Sequence, residues 1–240
     1  MRGLLRRRLL ASAATIFGIC PAIAGCSGAA SQPPLLVPAV QQAAQQPARK
    51  AAPVMMFVGD SFTVGSGPVR TWQTYASESA RQLGWQPVIA GAGGTGFVNE
   101  GRVGRTFEQS FMAELAWRPA PDLLVISGGH NDSRWPAATV RQAAARLVWS
   151  VKAHWPGTRI VMVGPIWIDR APPSAYLLRD ALAEVAARER VAFLDPLARR
   201  WIEGRRSEVL LPDGVHPTLG GHHKLARWLA GALQTTSAPA

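Results

Sequence analysis

A chain of 240 residues has room for one sizeable domain with appendages, and its 48% apolar content is that of an ordinary globular protein. The formal charge of +11 is unevenly laid out: four arginines stand in the first eight residues, no Asp or Glu precedes Asp60, and the only lysines are Lys50, Lys152 and Lys224. No nucleic-acid motif accompanies this charge, which argues against a nucleic-acid partner and leaves an anionic envelope surface, or no partner at all, for the basic residues.

Residues 1–26 read as an export signal. Arg6, Arg7 and Arg8 form a charged start, and residues 9–23 are mostly apolar and small, too short for a comfortable membrane span and interrupted by Pro21. Ile23-Ala24-Gly25-Cys26 resembles a bacterial lipobox, so Cys26 is the expected lipidation site and the protein is expected to be anchored to a membrane rather than to span it. The run Arg6-Arg7-Arg8-Leu9-Leu10 also resembles a twin-arginine signal, and the export route, Sec or twin-arginine, stays open. Cys20 and Cys26, the only cysteines, both belong to this leader, so the folded part is expected to do without a disulfide. Residues 27–52, rich in Ala, Pro and Gln, read as a disordered tether with a reach of roughly 25–30 Å.

From residue 53 to 234 the pattern changes to that of a folded domain, with 235–240 as a flexible tail. Apolar runs at 54–59, 87–90, 122–127, 159–164 and 191–195 predict five strands. Helix-like segments at 71–83, 106–116, 137–154, 174–188 and 218–233 alternate with them; in the third, Val140, Ala144, Leu147, Val148 and Val151 recur at helical spacing. Alternation of this kind predicts an α/β fold, a three-layer α/β/α sandwich around a five-stranded parallel sheet.

The chemistry-bearing residues cluster just after the strands, at the edge of a parallel sheet where ligands bind. Gly59-Asp60-Ser61 ends the first, Gly91-Ala92-Gly93-Gly94-Thr95-Gly96 follows the second, and Gly128-Gly129-His130-Asn131-Asp132 follows the third. Asp213-Gly214-Val215-His216 lies between the fifth strand and the last helix. Gly91, Gly93 and Gly96 also satisfy a dinucleotide fingerprint, but after the second strand, with no convincing helix opening behind them and no acid ending a strand some 20 residues on, so no nucleotide is expected. His222 and His223 are adjacent on a helix and diverge in direction, so no metal is expected, and no other cofactor.

On Gly59-Asp60-Ser61, Gly94, Gly129-His130-Asn131-Asp132 and Asp213-Gly214-Val215-His216, taken in order, the chain resembles the SGNH hydrolases, also called the GDSL esterase/lipase family. The resemblance runs from about residue 54 to 233 and implies the flavodoxin-like form of the sandwich. It also implies a nucleophile, Ser61, with His216 as the base that takes its proton and Asp213 as the group that holds the imidazole. The implied oxyanion donors are the Ser61 and Gly94 N–H groups and the Asn131 amide. Asp60 is read as a turn or helix-start residue rather than a catalyst, Asp132 as a support for Asn131, and His130 is left without a role. Phe62, Phe97, Trp135 and Trp167 fall in or near the edge loops and are the candidates for walling a substrate pocket. The expected activity is that of an exported serine esterase, monomeric, acting on acyl esters of envelope lipid or glycan. Two rivals share the scaffold: an acyltransferase passing the acyl group to another hydroxyl, and a non-catalytic envelope-binding lipoprotein.

Overall fold

Met55, Met56, Phe57 and Val58 are each at most 3% exposed, because the strand they form, β1 (Val54–Gly59), is covered on both faces. Successive side chains of a strand point to opposite faces. Met55 and Phe57 accordingly join one apolar cluster, Met56 and Val58 the other. The computed structural model that gives this arrangement describes residues 51–198 and 205–236. The expected export signal, Cys26, nearly all of the tether and residues 237–240 lie outside the described residues.

β1 pairs in parallel with β2 (Gln86–Gly91) on one side and β3 (Leu123–Ser127) on the other; β4 (Arg159–Val163) and β5 (Ala192–Leu194) follow, also parallel. The order is β2-β1-β3-β4-β5, the flavodoxin-like arrangement expected from the sequence. The sense in which successive strands are added to the sheet reverses between β1 and β3, and the loops leaving those two parallel strands open a crevice at their carboxyl ends.

One face is covered by α2 (Tyr75–Gln82) and α7 (Leu219–Thr236), which pack on each other through Tyr75, Ala76 and Ala80 against Leu225, Leu229 and Leu233. Those leucines recur every four residues, so they form one stripe. Each contributes about 1.5–3 kcal/mol on burial. The opposite face carries α4 (Ala137–His154) and α5 (Pro173–Arg188), through Val140, Leu147 and Val151 on one and Leu178, Leu182 and Val185 on the other. Among the described residues no helix is long and apolar enough to cross a membrane.

Three local features differ from the expected pattern. The helix anticipated from residue 71 is broken at Thr74, whose backbone is extended (φ −72°, ψ 160°) and whose hydroxyl accepts the Ser77 N–H; Thr71–Gln73 is a separate 3-10 turn. The helix at 106–116 starts as α3 (Phe107–Ser110), with Thr106 and Gln109 in a capping box, then widens into a π turn over Phe111–Leu115. Phe107, Phe111 and Leu115 are four apart and all buried, so the segment presents one apolar stripe to the core through both turns. Finally, α7 runs on to Thr236, two residues into the expected tail.

Candidate active site

Ser61 is the first residue of α1 (Ser61–Val64), a single turn at the end of β1. Asp60 caps it: its carboxylate accepts the Phe62 N–H at 3.0 Å, the helix-start role expected. The turn is held from below by a buried chain of hydroxyls, in which Thr63 Oγ1 lies 3.1 Å from the Tyr75 hydroxyl and that hydroxyl donates to Ser127 Oγ at 2.6 Å. Tyr75 is fixed in turn by His222, whose Nδ1 accepts the Tyr75 N–H at 3.1 Å. Burial pushes His222 down to about 3, so its imidazole is neutral and free to accept.

His216 reaches this turn from 155 residues away, with Nε2 2.9 Å from Ser61 Oγ. Its Nδ1 lies 2.7 Å from Asp213 Oδ2, while Asp213 Oδ1 accepts the N–H groups of Val215 (2.9 Å) and His216 (3.0 Å). The carboxylate thus closes a small ring on its own loop before it touches the imidazole, which fixes both. Desolvation works to raise the Asp213 carboxyl; the hydrogen bonds from the His216 N–H, its imidazole and the Val215 N–H outweigh this and hold it at about 2. An ionised Asp213 accepts from Nδ1–H, leaving Nε2 to accept the serine proton.

Gly94 and Asn131 stand beside Ser61 on the wall of one cavity of about 1140 Å³, which also includes His216. Gly94 has φ +78°, a conformation a Cβ would strain, and its carbonyl accepts from Asn99 Nδ2 at 2.5 Å. Among the described hydrogen bonds neither the Ser61 nor the Gly94 N–H is engaged. The Asn131 amide donates to the Thr95 carbonyl at 2.9 Å, and its second contact, to Asp60 Oδ2, is long at 3.4 Å. Desolvation, against the Phe62 N–H and with help from the Asp132 charge, raises the Asp60 carboxyl to about 7.

Asp132 does more than support Asn131. Fully buried, it accepts three successive N–H groups, Phe97 at 2.9 Å, Val98 at 3.0 Å and Asn99 at 2.9 Å, and so folds back the loop behind Gly94. A Cβ on Gly96 would collide with the same carboxylate. The last glycine of the apparent dinucleotide fingerprint thus serves this contact, and no helix follows until α3.

The four aromatic candidates divide. Trp135 lines the cavity and is 41% exposed. Trp167 stacks on His130 at 3.9 Å, and His130 is held by the Ile166 carbonyl at 3.2 Å. Phe62 and Phe97 are not pocket walls. Phe62 is 2% exposed, in the core beneath the rings of His130 and His216, and Phe97 is 4% exposed against Phe107. The direction of a side chain near a strand end is set by the packing around it, which position in the sequence does not reveal. Arg102, Arg134 and Glu100 also line the cavity and were not singled out from the sequence. His223 pairs with Glu78. Among the described residues no group of three or more metal-binding side chains converges.

The model of the GDSL-like lipase/acylhydrolase family matches residues 57–224. A GDSL lipase of Mycobacterium tuberculosis, Rv0518, is 29% identical over 186 residues, spanning 72% of this chain and 78% of the relative. Among solved structures, the lipase/acylhydrolase from Enterococcus faecalis superposes with a TM-score of 0.62 at 18% identity, covering 78% of this chain and 98% of that one. A family 2 carbohydrate esterase with a carbohydrate-binding domain, from Corynascus thermopiles (Myceliophthora fergusii), gives 0.62 at 21% identity, covering 79% and 67%. At these identities the two structures show the fold alone.

Proposed function

Because the chain belongs to the GDSL-like lipase/acylhydrolase family, and so to a class of ester-hydrolysing enzymes, we propose that it works through an acyl-enzyme on Ser61. Ser61 Oγ bonds to the acyl carbonyl carbon and gives its proton to His216 Nε2. The oxyanion so formed is met by the Ser61 and Gly94 N–H groups and by the Asn131 proton that makes only the long contact with Asp60. Loss of one such donor costs about 3–4 kcal/mol of transition-state stabilisation. The bond to the alcohol oxygen then breaks, and that oxygen leaves with the proton from His216. Water, giving a proton to the same nitrogen, attacks the acyl-enzyme; the acid departs and Ser61 recovers its proton. Asp213 stays ionised throughout and stabilises the imidazolium.

The observation that carries this reading is the continuous line from Asp213 Oδ2 through His216 to Ser61 Oγ, with steps of 2.7 and 2.9 Å, opening on the cavity. Ser61→Ala should abolish hydrolysis of p-nitrophenyl acetate and labelling by a fluorophosphonate while leaving the melting temperature unchanged. Undiminished turnover by that variant would refute the nucleophile. The export-like leader supports a further element of the reading, action on envelope esters from a membrane anchor at Cys26. Cys26→Ser should move the protein from the membrane to the soluble fraction, and an unchanged distribution counts against the anchor.

A further inference from the structure

The wall of the cavity around Ser61 is a poor one for a long alkyl chain. Its apolar side chains are Val98 and Trp135; Phe62 and Phe97, which could have lined it, are in the core. An acyl chain gains about 0.8 kcal/mol per buried methylene only where apolar surface covers it. At about 1140 Å³ the space also lies above the usual range for a small-molecule pocket, so it has room for more than an acyl group.

Its charges are the second observation. Arg102 sits on the 3-10 turn Gly101–Val103, which lies directly against the Gly93–Gly94 backbone and is tied to it by the Thr95–Glu100 bridge. Arg134 follows Asn131 by three residues, in a turn closed by the Trp135 N–H to the Asp132 carbonyl at 2.8 Å. Each arginine is therefore carried by a loop that also carries an oxyanion donor. Among the described residues neither has an acidic partner, whereas Arg105 pairs with Glu114 and Arg141 with Glu184. Glu100 lines the same cavity, so the two cations and one carboxylate leave an excess positive charge. A guanidinium grips a carboxylate through two parallel hydrogen bonds, and an indole face offers a flat apolar surface to a ring.

Resting on the serine-esterase reading above, we propose that the ester cleaved is an O-acyl group on an acidic saccharide. Arg102 and Arg134 hold the sugar carboxylate, Trp135 stacks on a ring, and Glu100 accepts from sugar hydroxyls. A neutral saccharide would leave both arginines with water alone.

The full-length protein should be assayed on O-acetylated oligogalacturonate, on the same oligosaccharide with its carboxyls reduced to alcohols, on micelles of an anionic phospholipid, and on p-nitrophenyl acetate. The acidic saccharide should be preferred over its reduced form by roughly tenfold in kcat/KM, a preference that shrinks as salt is added. In Arg102→Gln/Arg134→Gln the ratio of the two rates should fall towards one; as both rates come from the same variant, damage to its folding cancels. Equal rates on the two saccharides by the parent protein, or faster cleavage of the phospholipid, would overturn the proposal while leaving the esterase reading intact. Inactivity on all four substrates would overturn both.

Discussion

Asp132 offers the most direct test of how the site is held. Its carboxylate is fully buried and accepts three backbone N–H groups, two on Oδ1 from Val98 and Asn99 and one on Oδ2 from Phe97. Asp132→Asn keeps the volume. With its oxygen at the Oδ1 position the new side chain still accepts from Val98 and Asn99, but its amide nitrogen faces the Phe97 N–H. One orphaned buried donor costs about 1–3 kcal/mol, and two bonds that lose the charge of their acceptor weaken by roughly 1 kcal/mol each. The total is about 3–5 kcal/mol, to be read as a lowered midpoint in urea followed by tryptophan fluorescence. Activity should fall further than the folded fraction accounts for. The loop freed by the substitution carries Asn99, which fixes the Gly94 carbonyl at 2.5 Å, and a displacement of about 1 Å at the proposed oxyanion donor costs on the order of 100-fold in rate. A variant with parental urea midpoint and parental kcat/KM on p-nitrophenyl acetate would show that the three hydrogen bonds neither stabilise the loop nor position Gly94.

Asp60 should oppose folding at high pH. Its folded value of about 7 lies above the ordinary 3.8, so the folded state binds the proton more tightly than the unfolded chain does, and stability falls as pH rises from about 4 to about 7 and then levels off. Three units correspond to roughly 4 kcal/mol at full ionisation. Asp60→Asn, which retains a good helix cap, should therefore be more stable than the parent at pH 8 by a margin that closes below pH 4; parallel stability curves for the two proteins over that range would contradict this. Tyr75→Phe removes the hydroxyl between Thr63 and Ser127 and leaves two buried oxygens short of a partner. The expected loss is about 1–3 kcal/mol in a denaturant melt, and an unmoved midpoint would mean that the hydroxyl chain does not brace the Ser61 turn.

The strands and most helices were legible because their signals are local. The continuous apolar run 54–59 marked a strand covered on both faces, with Met55 and Phe57 in one cluster and Met56 and Val58 in the other, and the recurrence of Val140, Ala144 and Leu147 marked the buried stripe of α4. The break at Thr74 and the π turn at Phe111–Leu115 escaped because a cap or a widened turn wins only by a small margin over a continuous helix. At the site, the identities of Ser61, Gly94, Asn131, Asp213 and His216 could be read from four short motifs, each standing after a run of strand-forming residues.

What the sequence by itself determined was the inventory: which residue types stand at which strand ends, in what order, and hence an α/β layer architecture. Only the tertiary structure decided the distances and directions. It brought the His216 ring to 2.9 Å from Ser61, turned Phe62 and Phe97 into the core, aimed the Asp132 carboxylate at the loop behind Gly94, and set two arginines on the cavity wall. The reason is physical. Periodicity follows from the geometry of a single segment of backbone, whereas the aim of a loop side chain depends on every layer packed around it, and no local pattern encodes that sum.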